Sequence, residues 1–236
     1  MRKISILVIF LIIKLSCFGQ YENFTNQIIP HKNLFKKIFG DFNPVTFETI
    51  QTSDGIQKVP YGFKFNSTET SIEYYRSKQA ELNDSSCSKF IILGSIFFIK
   101  GHFINDFACD MDISSLNVYF GSFNNQKYIL ITGINCGSGS STTTIILNLF
   151  NVTNKNHIIY YPLWSKYGGL SSFGDFNGDG CLDFFEVRNF KEQFFYKGTV
   201  MSLKEGKFLP FHQNNYFIIF KYDGNSIITL TKNWFN

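Results

Sequence analysis

The chain has 236 residues, a formal net charge of +4, 44% hydrophobic and 17% charged residues, and 29 phenylalanines. That length supplies one large domain or two small ones, and either can build a sizeable core. The weak charge excess gives no electrostatic case for nucleic acid or an anionic membrane surface as partner.

Arg2 and Lys3 precede an apolar run over residues 4–13, interrupted only by Ser5, and Gly19 stands before Gln20. A basic start, a short apolar core and a small residue at the cleavage position describe a secretory signal peptide over residues 1–19, too short to span a bilayer. A lipoprotein leader acylated at Cys17 is the alternative, although Lys14 occupies a position where such leaders carry an aliphatic residue. Cleavage removes three positive charges and no acid, so the 217 residues that follow carry a formal charge of +1. No second long apolar run offers a transmembrane segment. The expected location is secreted, periplasmic or at the cell surface.

Four further cysteines, Cys87, Cys109, Cys136 and Cys181, form an even set suited to an oxidising compartment, with three possible pairings. No C-x-x-C spacing occurs and the histidines are scattered, which argues against zinc or a thioredoxin-type centre. Sequons include those beginning at Asn23, Asn66 and Asn151.

Residues 20–84 read as a mixed N-terminal section packed on the main domain. Leu34, Phe35, Ile38 and Phe39 share one face opposite Lys32, Lys36 and Lys37, which predicts an amphipathic helix over residues 31–39 ended by Gly40. Residues 59–65 predict a short strand, and residues 69–82 a second helix of weak periodicity. Residues 85–236 predict an all-β domain, with strands over 90–99, 116–120, 128–134, 142–152, 157–163, 182–188, 193–203, 207–211, 216–222 and 226–231. Short connections such as Asn124-Asn125, Glu205-Gly206 and Asp223-Gly224-Asn225 join antiparallel neighbours. The expected fold is therefore mainly β: an antiparallel meander of blade-like sheets, open or partly propeller-like or sandwiched, with one or two N-terminal helices. The strands are too few for the usual minimum of about four blades of a closed propeller. A hairpin centred between Asn124 and Asn125 also brings Cys136 near Cys109 and predicts a disulfide between them.

One stretch carries recognisable chemistry: Phe173-Gly174-Asp175-Phe176-Asn177-Gly178-Asp179-Gly180-Cys181-Leu182-Asp183. Asp175, Asn177, Asp179 and Asp183 occupy positions 1, 3, 5 and 9 of a tight loop, a spacing that aims hard oxygen donors at a Ca²⁺ ion. Gly180 supplies the bend, Cys181 would offer only its backbone carbonyl, and Leu182 would anchor the loop in the core. Continued to Glu186, the same residues satisfy the EF-hand pattern. The glycines and serines before the loop are poor helix formers, however, and the residues after it suit a strand.

This stretch resembles the FG-GAP or VCBS-type calcium loop of integrin-like propeller blades, in which the loop feeds directly into a strand. The resemblance covers about 20 residues and appears once, where those families repeat it. It implies side-chain ligands at Asp175, Asn177, Asp179 and Asp183 and a carbonyl ligand at Cys181.

No nucleophile elbow, zincin motif or phosphate loop is present. Cys136-Gly137-Ser138-Gly139-Ser140-Ser141 reads as a turn, as does Asp110-Met111-Asp112 with Ser114. The expected function is a secreted or surface, non-catalytic binding or adhesion-type protein with one structural Ca²⁺ and an extracellular glycan or protein as partner. The alternatives are an exported hydrolase whose carboxylate pair meets only in three dimensions, with calcium as a structural ion, and an EF-hand-like calcium binder.

Overall fold

A computed structural model of the chain describes residues 27–30, 43–49, 57–59, 62–66, 70–75, 87–100, 117–134, 144–166, 169–189, 195–211, 217–222 and 226–233. The strands of the first half are β1 (Gln27–Pro30), β2 (Asn43–Pro44), β3 (Thr46–Thr49), β4 (Gln57–Val59), β5 (Gly62–Asn66), β6 (Ser71–Tyr75), β7 (Cys87–Ile92), β8 (Ser95–Lys100) and β9 (Asn117–Phe123). They are followed by β10 (Gln126–Ile134), β11 (Ile145–Asn151), β12 (Ile159–Ser165), β13 (Phe173–Asp175), β14 (Asp183–Asn189), β15 (Phe195–Lys204), β16 (Lys207–Pro210), β17 (Phe217–Tyr222) and β18 (Ser226–Asn233). The chain is mainly β, and no α-helix occurs among the described residues.

Backbone contacts group the chain into two compact units, Asp41–Val187 with Val200–Leu209, and Met1–Gly40 with Arg188–Thr199 and Pro210–Asn236. In the larger unit, β4 to β8 follow one another as an antiparallel meander, and β12-β11-β10-β9-β3 form a second five-stranded sheet. Strands β2-β13-β14 and the C-terminal half of β15, with β16 beside it, make a third layer. The smaller unit holds β1-β18-β17 and the N-terminal half of β15. Among the described residues none of the sheets is closed.

Residues 128–131 of β10 and 147–150 of β11 are buried on both faces, which explains why Tyr128–Ile131 reads as an unbroken apolar run rather than an alternating one. Ile129, Ile131, Phe150 and Val118 point one way and pack with Phe63, Phe65, Ile72, Tyr74, Phe90 and Ile92 of the β4–β8 sheet. Tyr128, Leu130, Leu147 and Leu149 point the other way, onto Phe173, Leu182 and Phe184 of the third layer. Phe150 lies at the centre of an aromatic group, stacked on Tyr160 at 4.8 Å and edge-on to Phe97 at 5.2 Å and Phe90 at 5.7 Å. Each buried aromatic removes a large apolar area from water, so this layering accounts for much of the driving force for folding.

Several local expectations are corrected. Residues 90–99 are not one strand: Leu93 and Gly94, with φ of 49° and 84°, turn the chain between β7 and β8, pairing Ile92 with Ser95. Residues 59–65 likewise divide between β4 and β5, which pair Val59 with Gly62. Residues 71–75 are the strand β6 and not a helix, because Ile72 and Tyr74 alternate inward while Glu73 and Tyr75 face outward. There Glu73 accepts the Tyr75 hydroxyl at 2.5 Å and pairs with Lys64 at 3.3 Å. The Asn124-Asn125 turn falls where expected, both residues having positive φ (47° and 63°) in a two-residue hairpin. The predicted helix over 31–39 lies outside the described residues, as do Cys109, Cys136, the 136–141 loop and Asp110–Asp112.

Candidate metal centre

The loop begins and ends in strands. Gly169, with φ of 145°, opens a single 3-10 turn over Leu170–Ser172, and β13 follows at once. Phe173 pairs with Phe184 and Gly174 with Asp183, so the hairpin of β13 and β14 brings Asp175 and Asp183 to the neck of the loop. On its other edge β13 pairs Gly174 with Pro44 and Asp175 with Asn43. This is a strand–loop–strand arrangement, unlike the helix–loop–helix of an EF-hand, and Glu186 lies inside β14.

Within the loop the backbone curls around the side chains at alternate positions. Asp175 Oδ1 accepts the N–H groups of Gly178 (2.7 Å) and Asp179 (3.1 Å), and its Oδ2 accepts that of Gly180 (2.9 Å). Asn177 Oδ1 accepts the Asp179 N–H at 2.9 Å, and Asp179 Oδ1 accepts the Cys181 N–H at 2.8 Å. Gly178 and Gly180 adopt φ of 75° and 78°, a left-handed backbone that glycine reaches without a Cβ clash. Leu182 is buried among Phe173, Phe184 and Leu130, anchoring the far side of the loop in the core.

Three residues outside the motif brace it. Ser202 on β15 donates its hydroxyl to Asp183 Oδ1 and accepts Asn177 Nδ2–H at 3.0 Å. Lys204 Nζ stands 3.4 Å from Asp179 Oδ2. Asn124, at the tip of the β9–β10 hairpin, donates to the Gly180 carbonyl at 2.6 Å. Nothing in the linear motif points to these three, because each lies far away in sequence. The sign that could have been sought is a polar residue on the inward face of a strand, as at Ser202.

Charge is crowded here. Asp183 has no exposed surface, and its remaining oxygen accepts the Phe176 N–H at 2.8 Å. Burial pushes its carboxyl up to about 6, against the bonds from Ser202 and Phe176, and the nearby Asp179 and Asp175 charges push the same way. Partial burial also acts to raise Asp179, but the Cys181 N–H and thiol and the Lys204 ammonium together outweigh it and hold that carboxyl below its usual value. Cys181 carries a free thiol, raised first by burial and then by the Asp179 charge, which leaves it a poor nucleophile.

Among the described residues, no three or more His, Cys, Asp or Glu side chains are gathered as a ready metal cage. The chemistry of the loop nevertheless suits a hard cation. Its donors are carboxylate and amide oxygens, and Asp183 is a buried acid beside two further carboxylates, with Lys204 the cation paired with Asp179. The residues that would hold Ca²⁺ are Asp175, Asn177, Asp179 and Asp183 through side chains and Cys181 through its carbonyl.

A cavity of about 230 Å³ in the larger unit is lined by Asn117, Tyr119, Thr132, Ile134, Ile145 and Leu170 with two glycines, and none of its lining residues is a carboxylate. Among the described residues, no helix is long and apolar enough to cross a membrane. The chain matches no family model, and no curated protein or solved structure is significantly similar to it.

Proposed function

We propose that this chain is an exported, non-catalytic binding protein whose β-framework carries one structural Ca²⁺ in the 175–183 loop, with an extracellular glycan or protein as its partner. The observation that carries the reading is the hairpin of β13 and β14, which sets Asp175 and Asp183 at the neck of a loop whose amides already wrap the acidic side chains. The strands on both sides support an FG-GAP-like loop in preference to an EF-hand, and the leader over residues 1–19 supports export. Bound calcium would neutralise the three carboxylates, while the chain's own part is to hold those oxygens in place and fix the strand that follows.

The test is a pair of calorimetric melts of the mature chain, one with calcium and one with excess chelator, followed by a glycan and protein binding screen under both conditions. Calcium should raise the melting temperature and be required for full partner binding. Identical melts would show the loop to be an acidic turn without a metal.

A further inference from the structure

Ser202 is 1% exposed and lies on β15, nineteen residues beyond Asp183 and twenty-five beyond Asn177, yet its one hydroxyl joins the two. A hydroxyl has a single proton to give. Here it goes to the Asp183 carboxylate, so only lone pairs remain to face Asn177. The group that meets them is the amide nitrogen, Nδ2, at 3.0 Å. An amide committed by its nitrogen in one direction presents its oxygen in the other, and Asn177 Oδ1 turns back into the loop, towards the Asp179 N–H.

We propose that Ser202 is the positioning residue of the cation loop. The chain of donors from Asn177 Nδ2–H to Ser202 Oγ–H to Asp183 fixes which end of the Asn177 amide faces the loop and holds the Asp183 carboxylate beside it. This rests on the calcium reading above. An amide that turned its NH₂ group inward would repel a cation, so a residue that excludes that orientation raises affinity without touching the ion. Contacts one layer out from a metal commonly act in this way. The remaining side-chain bonds of Asp175, Asn177 and Asp179 to backbone N–H groups stay within the loop. Ser202 is thus what makes the third and ninth positions answer to β15.

The test uses Ser202→Ala, Ser202→Thr and Asn177→Asp in the full mature chain, with calcium titration calorimetry and separate melts in chelator. Ser202→Ala should weaken calcium binding about 10- to 100-fold, and Ser202→Thr, which keeps the hydroxyl, should restore most of it. A purely structural role would lower melts with and without calcium alike, whereas positioning shrinks the gap between them. Asn177→Asp adds a negative charge but faces Ser202 with an acceptor, so binding should fail to tighten. Undiminished affinity in Ser202→Ala, or tighter binding in Asn177→Asp, overturns the proposal while the calcium reading stands. A wild-type chain that takes up no calcium overturns both.

Discussion

Lowering the pH of the calcium-free chain from about 7 to about 5 should raise its stability, and Asp183 is the reason. Its carboxyl has no exposed surface, and burial, with the Asp179 and Asp175 charges, moves it from the ordinary 3.8 to about 6. Between those values the folded chain holds a proton that the unfolded chain has released, so stability falls as pH rises through the window and returns as pH drops below about 6. The whole displacement corresponds to about 3 kcal/mol, of which the step from pH 7 to 5 recovers about 1 kcal/mol, because it crosses only one unit below the folded value. The exposed residues 178–180 at the rim of the loop admit water that screens part of this, so the gain at pH 5 should be about 1 kcal/mol or less. Asp179 and Glu73 act in the opposite sense, because their carboxyls sit below the ordinary values of 3.8 and 4.5, and their contributions are lost only at lower pH. Urea unfolding in chelator, comparing wild type with Asp183→Asn across this range, isolates the effect. The wild type should gain stability on acidification and the variant much less. Saturating calcium should flatten or reverse the wild-type trend, since a cation uses the ionised carboxylate. Equal pH dependence in the two chains would refute the reasoning.

Asp179→Ala should remove most of the calcium-dependent stabilisation, which is about 2.7 kcal/mol at a hundred times the dissociation constant. Cys181→Ser should leave calorimetric affinity almost unchanged, because only the carbonyl at that position is required. Phe150→Ala, stripping the ring that meets Phe90, Phe97 and Tyr160, should cost about 3–5 kcal/mol in urea unfolding. At Gly62 an added Cβ would lie 1.8 Å from the Tyr74 carbonyl oxygen. Gly62→Ala should therefore disrupt the pairing of β5 with β6 and lower the melting temperature more than an ordinary surface exchange.

The loop was legible because Asp175, Asn177, Asp179 and Asp183, with glycines at 178 and 180, form a spacing that serves few purposes other than wrapping a cation or a turn. The Asn124-Asn125 hairpin was legible because asparagine tolerates the left-handed backbone that such a turn demands. Leu93 hid its turn, since a leucine at φ 49° in an apolar run carries no turn signal, and β7 and β8 merged into one apparent strand. Strand β6 was obscured by the weak helical periodicity read across residues 69–82, while the deciding contacts of Ile72 and Tyr74 come from other strands. Ser202 was invisible for a related reason: a serine in a strand is unremarkable until its partners, Asn177 and Asp183, are brought beside it.

The two-sided burial of β10 and β11 has a consequence in time. Each is hydrogen-bonded along both edges, β10 to β9 and β11, and β11 to β10 and β12. Residues 128–131 and 147–150 have at most 1% of their surface exposed. Water reaches such amides only when a covering layer lifts away, so the opening that exposes them approaches the unfolding of the whole unit. In deuterated solvent the N–H groups of Ile129, Leu130, Ile131, Leu147 and Leu149 should be the last to exchange, marking the clock by which the rest of the larger unit is measured.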